Sequence, residues 1–366
     1  MGTITDPPKR IDALDCAKGM LVLLMVLYHW IDYFIGIHYE PMRYLRFVTP
    51  SFILLAGFLI SHFYIVKYDL NETLVAKRLA LRGLKIIGIF LLLNASIIMI
   101  FTPLSLKNAE GYRLLQVLVD VFIWGNVVQN GMGKVASFFV LVPIGYLLFL
   151  SAGLLSIQRL LFRSTPKRIR TAHSSFEYAP MERIERTKWL FATTLAMCLA
   201  AILCFYIQEA ESNTLELLAI GLLGVMLGFV PFDYICCFSN HPYRLFVLYT
   251  VYLGTISVWN VTFPLQIMGV CLSVIVLLVI GTRCNSNKAV CGYLLLLGRY
   301  SLFGYIAQVV LIYALSRVLL PMDLGAIQLA ASLLLTVTIT VVSVTWVDHA
   351  RRMSTIFNKL YQGVFA

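Results

Sequence analysis

His29, Lys18, Asp15 and Asp32 stand in one apolar run, DALDCAKGMLVLLMVLYHWID, residues 12–32, and their spacing suits a working site. A neutral imidazole with a reference pKa of ~6.5 can take a proton from a weak nucleophile, and a nearby carboxylate can fix its tautomer. A lysine can hold an anion such as a phosphate. At ~100° per residue, Lys18 and His29, eleven positions apart, fall within about 20° of one another and ~16 Å apart along a helix axis. Asp32 follows His29 by three residues and Asp15 precedes Lys18 by three, so each base has an acid within helical reach.

The element that positions this stripe has to be a membrane helix. Twenty or so apolar residues form a span of ~30 Å, and each ionisable group inside it costs several kcal/mol unless it faces protein or water. Composition agrees: 60% of the 366 residues are hydrophobic and 13% are charged, too few for the surface of a soluble domain. The net charge of +11 resides in short loops between apolar runs, which is how membrane topology is encoded and not how a nucleic-acid surface is built. Cys16, Cys198, Cys204, Cys236, Cys237, Cys271, Cys284 and Cys291 have neither metal-ligand nor disulfide-framework spacing and read as packing residues. Asp12, Asp15 and Lys18 interrupt the early apolar run, so no cleavable signal is expected.

Hydropathy predicts an all-α bundle of ten spans, at 13–36, 44–66, 84–102, 134–161, 188–208, 215–238, 243–260, 263–281, 292–319 and 325–347. The stretch 113–130 carries Gln116, Asp120, Asn126 and Gln129 and is expected to be re-entrant or interfacial. If it does not span, the basic stretches 67–85 and 159–188 share a side with both termini, and the acidic 208–216 lies opposite. If it spans, the most basic loop becomes external, against the positive-inside rule. The reading adopted is therefore one integral-membrane domain, 1–366, with cytoplasmic termini, a basic cytoplasmic loop at 162–187 and 113–130 on the outer side. No soluble segment is large enough for an active site, so chemistry falls to the bundle. The absence of a convincing internal repeat weighs against an inverted-repeat transporter.

With that topology, Lys18 lies near the cytoplasmic mouth of the first span and His29 deeper, toward the outer half. A donor with a phosphorylated head and a flexible arm could rest its phosphates on Lys18, Arg78, Arg82 and Lys85 while its reactive end reaches His29. Snorkelling topology charges are the alternative reading of those cations, and a packing histidine the alternative for His29.

The residues then carry a resemblance. LDCAKGMLVLLMVLYH, a base followed eleven residues later by histidine, resembles the opening of the integral-membrane acyltransferase family 3, which acylates surface glycans. PSFILLAGFLIS (50–61), RLALRGLK (78–85) and LGRYSLFGYIAQ (297–308) are similar to that family's second span, the basic segment after it and a late Gly-x-x-Ser-Leu-x-x-Tyr-x-x-His span. Three positions depart. Lys18 replaces the commoner arginine, keeping phosphate attraction without bidentate recognition; Ala56 replaces a serine; Gln308 replaces the late histidine, so no catalytic role carries to it. The related heparan-α-glucosaminide N-acetyltransferases open similarly, which leaves an amine acceptor possible.

What the resemblance implies is transfer of an acetyl or succinyl group from cytoplasmic acyl-CoA to a carbohydrate hydroxyl at the outer face of a bacterial inner membrane, without a metal. His29 would be the general base and Asp32 its partner, or His29 would form a covalent acyl intermediate; Lys18, Arg78, Arg82 and Lys85 would bind the donor. Membrane lipid is a further expected partner, nucleic acid is not, and the sequence is silent on oligomeric state. The competing class is a transporter or flippase of an anionic or lipid-linked substrate; Gly221, Gly224, Gly228 and Pro231 are the nearest sign of a broken helix, and close helix packing explains them more simply.

Overall fold

In a computed structural model, the described residues are 11–36, 40–65, 72–101, 120–124, 129–130, 133–134, 138–162, 178–208, 212–232, 234, 242–259, 261–284, 289–319 and 325–365. They form α1 (Asp12–Phe34), α2 (Val48–Leu59), α3 (Glu72–Phe101), α4 (Leu141–Phe162), α5 (Tyr178–Ile207) and α6 (Asn213–Leu227). There follow α7 (Pro242–Val258), α8 (Phe263–Thr282), α9 (Ala289–Arg299), α10 (Ser301–Leu319), α11 (Ala326–Met353) and α12 (Thr355–Phe365). A 3-10 turn, Glu40–Leu45, leads into α2, a π-helical turn, Ile60–Ile65, ends it, and a second π turn spans Asp120–Trp124. The only strands among the described residues are Gln129–Asn130 and Gly133–Lys134, a minimal antiparallel pair.

Eight helices among the described residues are long and apolar enough to cross a membrane: Asp12–Phe34, Glu40–Ile65, Thr73–Ser96, Leu141–Leu161, Ile184–Ile207, Phe263–Thr282, Ser301–Leu319 and Ala326–Met353. They correspond to eight of the ten expected runs. The other two runs, 215–238 and 243–260, yield α6 and α7, of 15 and 17 residues. Both are shorter than the ~20 residues of an average span, α7 standing at the lower end of the ~17–25 range and α6 below it. Ser212 starts α6 by accepting the Leu215 amide at 3.4 Å, and the helix ends at Gly228, three residues before Pro231.

Two stretches read as loops are helical. Residues 72–85, within the expected loop 67–85, are the first turns of α3: Val75, Ala76, Leu79 and Ile86 recur at helical spacing, are buried, and belong to an element packed on α4. Residues 178–187, within the expected loop 162–187, begin α5; 163–177 lie outside the described residues. The expected span at 292–319 is divided at Tyr300 into α9 and α10. Of 113–130, only 120–124 and 129–130 are described, so the expected re-entrant helix lies largely outside the described residues.

The chain forms two compact units, 1–52 with 232–366, and 53–231. In the second unit α3 packs on α4, and α4, α5 and α6 pack together. Glycines set its closest approach. A Cβ on Gly224 would lie 2.1 Å from the Leu54 carbonyl oxygen, and one on Gly57 would lie 2.0 Å from that of Gly221. The Gly221, Gly224, Gly228 series is thus a packing stripe.

In the first unit α1 is the hub, with α8, α9, α10 and α11 packed around it. Asp12 and Asp15 sit in its first turn, where carboxylates favour the helix dipole. Gly36 (φ 115°) closes the other end, where the amides of Ile35 and Gly36 both donate to the Ile31 carbonyl at 2.9 Å. α9 touches α1 backbone to backbone: a Cβ on Gly298 would stand 1.7 Å from the Asp15 carbonyl oxygen, and one on Gly19 2.0 Å from that of Leu294. Farther along, buried Trp30 donates its indole N–H to Ser332 Oγ on α11 at 2.9 Å. Cys16, Cys284 and Cys291 are free thiols of this unit. After α11 the chain folds back: the Arg351 guanidinium lies 5.3 Å from the Tyr300 ring centroid and 4.4 Å from that of Tyr361, and donates to Asn358 Oδ1 at 2.8 and 3.0 Å. Burial pushes the Tyr361 phenol up to about 12 against the opposing pull of Arg351, so it stays protonated beside the cation.

The glycine seam predicts a graded mutational response. Gly298→Ala has no flexible neighbour to displace, only the backbone of α1, and is expected to cost at least the ~1–3 kcal/mol typical of overpacking. Gly254→Ala, where a Cβ meets nothing within 4 Å, should be neutral or slightly stabilising. Thermal unfolding of the purified variants in detergent measures both, and equal transitions for the two would contradict the packing described.

Candidate functional site

The stripe predicted on α1 is present as a helix face inside the first unit. At its N-terminal end Lys18 Nζ is ion-paired with Asp15 Oδ1 at 2.6 Å, and the two side chains are only 17% and 11% exposed. The pairing follows from their spacing of three. It also means that this lysine carries a counter-ion of its own, which a ligand's anion would have to share.

Eleven residues on, His29 lies in an aromatic cage. Tyr28 meets it edge-on with centroids 5.4 Å apart, and Tyr305 of α10 stands 5.9 Å away at a tilt. Tyr33 continues the cage toward Tyr313 of α10, 6.2 Å away in a T-shaped contact. The surrounding wall is apolar: buried Trp30, Ile31, Met42 and Ile312 form one cluster, against which Leu27, Tyr28, Tyr33, Leu329 and Leu333 pack. Asp32, one turn beyond His29, acts electrostatically on the Tyr28 phenol together with the Arg46 guanidinium. The carboxylate expected to orient the histidine is therefore close enough to its tyrosine neighbour to act on that phenol.

α10 runs alongside α1 in the same direction. The space at Gly304 faces Val22 at 3.3 Å, Tyr305 meets His29, and Tyr313 meets Tyr33. α11 runs the opposite way, with Val344 near Gly304 and Ser332 bonded to Trp30. Its inward face is a polar ladder of Ser332, Thr336 and Thr340, all buried, in which Thr336 donates to the Ser332 carbonyl and Thr340 to the Thr336 carbonyl at 2.7 and 2.8 Å.

Arg78, Arg82 and Lys85 belong to the other unit, at positions i, i+4 and i+7 of α3. They form one stripe flanking the face that packs on α4, with Arg78 and Lys85 exposed and Arg82 half-buried. Arg82 donates to the Tyr64 hydroxyl, its guanidinium 5.8 Å from the centre of that ring.

Three residues were not identified as site residues from sequence: Tyr305, which meets His29, Arg46, which acts on Tyr28, and Gln308, buried on α10. Tyr305 lies in the quoted run LGRYSLFGYIAQ, but nothing in its spacing says that it meets a histidine 276 positions earlier. Arg46 reads as a boundary charge. Gln308 did leave a signal, as an uncharged polar residue inside an apolar span.

No protein-family model matches this chain, and no curated protein matches it.

Proposed function

We propose that the chain is a membrane-embedded acyltransferase, moving an acetyl or succinyl group from cytoplasmic acyl-CoA to a carbohydrate hydroxyl at the outer membrane face. The observation that carries this reading is His29: an imidazole on a bilayer helix, set among Tyr28, Tyr305 and Asp32, with Lys18 ~16 Å away on the same helix face. The resemblance of residues 14–29, 50–61, 78–85 and 297–308 to the integral-membrane acyltransferase family 3 supports it. The proposed topology has ten spans, counting α6 and α7, with cytoplasmic termini and 113–130 re-entrant on the outer side.

In the proposed step, the imidazole takes the proton of an acceptor hydroxyl as its oxygen attacks the thioester carbonyl. The tetrahedral adduct collapses to an ester, the C–S bond breaks, and the imidazolium returns its proton to the departing CoA thiolate. The aromatic cage excludes competing water, and the Asp32 carboxylate favours the imidazolium as it forms. At the other end Lys18 shares its charge between Asp15 and a donor phosphate. Arg78, Arg82 and Lys85 enter on charge and sequence alone, as cytoplasmic cations. A transporter of an anionic substrate is the second reading, and the break between α9 and α10 at Tyr300 favours it, since transport sites often lie at interrupted helices.

Three outcomes are expected. His29→Ala should fold yet lose at least ~10²-fold in acyl transfer, the lower end for a positioned acid–base group; the Asp32→Asn variant should also be slow, and the double variant little worse than His29→Ala, because groups acting as a unit are not additive. Normal turnover in His29→Ala would eliminate the mechanism. The Lys18–Asp15 pair gives opposite signs: Lys18→Ala should raise the KM for acyl-CoA by the equivalent of about 1.5–3 kcal/mol, whereas Asp15→Asn, which frees the lysine, should lower it. Steady-state kinetics reads both, and a parallel loss would assign the pair to structure. For topology, single cysteines at Lys167 and Glu211 should label from opposite faces of sealed vesicles; labelling from one face rejects the ten-span arrangement.

A further inference from the structure

Gln308 is wholly buried, at 0% exposure, and neither its amide nitrogen nor its carbonyl oxygen has a hydrogen-bond partner among the described residues. Leaving such a group unmatched in an apolar interior costs more than most packing defects, and a leucine would fill the place without that penalty. Its position is specific. On α10, at ~100° per residue, Gln308 falls at about 40° from Gly304, inside the arc between Gly304, which faces Val22, and Tyr305, which meets His29. Counting along the two parallel helices between the pairs Val22–Gly304 and Tyr33–Tyr313 sets Gln308 opposite residues 26–27 of α1. The His29–Tyr305 contact counts to residue 32 instead, so Gln308 stands within one helical turn, ~5 Å, of His29 along the axis. On α11 the same level falls between Thr336 and Thr340, whose hydroxyl protons are committed to their own helix.

We propose that the Gln308 carboxamide binds the acyl-CoA arm, by pairing with the amide of that arm nearest the thioester. This rests on the acyltransferase reading and names which part of the donor the interior recognises. A primary carboxamide offers a donor and an acceptor side by side, the complement of a secondary amide's carbonyl and N–H. The chemistry of the arm sets the depth: an ethylene link separates the thioester sulfur from the nearest amide nitrogen, and with bonds of ~1.5 Å it spans about 4 Å. Counted from the thioester carbonyl, one C–S bond farther, the first amide lies about 5 to 6 Å away, within a helical turn of His29 and so within reach of Gln308, and the rest of the arm continues toward Lys18.

The test separates arm from head. Calorimetric titration into nanodisc-embedded protein compares coenzyme A with its adenosine bisphosphate head lacking the arm, for wild type, Gln308→Leu and the shape-preserving Gln308→Met. Gln308→Leu and Gln308→Met should bind coenzyme A about 10- to 100-fold more weakly, bind the head alone as wild type does, and melt no lower than wild type. Unchanged coenzyme A affinity in both variants overturns the inference while leaving the acyltransferase reading in place. Loss of folding in both assigns Gln308 to structure and overturns it equally. Failure of wild type to bind coenzyme A at all overturns the acyltransferase reading and this inference with it.

Discussion

Ionisable side chains inside a bilayer are tolerated only where protein, not lipid, surrounds them, and the first unit is organised by that requirement. An isolated helix carrying Asp15, Lys18, His29 and Asp32 would pay several kcal/mol for each. Packing α8, α9, α10 and α11 around α1 removes the cost by making that helix the axis of its unit. The N-terminal pair neutralises itself at 2.6 Å, and His29 is met by the rings of Tyr28 and Tyr305. Close packing is available because Gly19, Gly298 and Gly281 let backbones touch where any Cβ would intrude.

The unit that surrounds α1 comes from the far end of the chain, residues 232–366, so the cage is a long-range product. That explains the uneven legibility of the sequence. Long apolar runs announce themselves by composition, and eight of them are helices long and apolar enough to cross a membrane. Lys18 with Asp15 was legible because a spacing of three on a helix leaves little choice of neighbour. The basic start of α3 was read as loop because hydropathy averages Lys77, Arg78, Arg82 and Lys85 with the apolar residues between them; the buried face of Val75, Leu79 and Ile86 shows the helix. The division at Tyr300 was hidden because the run on both sides of it is apolar.

The site divides in the same way. Residues on α1 could be found from the rules of one helix, whereas Tyr305 and Gln308 could not, since their meaning lies in which α10 turn stands beside His29. Asp32 illustrates a middle case: its reach toward His29 and Tyr28 was readable from spacings of three and four, but the influence of Arg46 depends on three-dimensional placement. Gln308 is buried with no hydrogen-bond partner among the described residues, which no rule of a single helix could have told.

The central claim is that an acyl group passes from a cytoplasmic thioester to an acceptor on the opposite face, through the interior that holds His29. Proteoliposomes with purified protein, radiolabelled acetyl- or succinyl-CoA on the cytoplasmic face and a carbohydrate acceptor on the other test it directly. Label appearing on the acceptor, with free CoA released on the donor side in equal amount, is the result this account predicts. Acyl-CoA left intact on its own side, with no label on the acceptor, would contradict it.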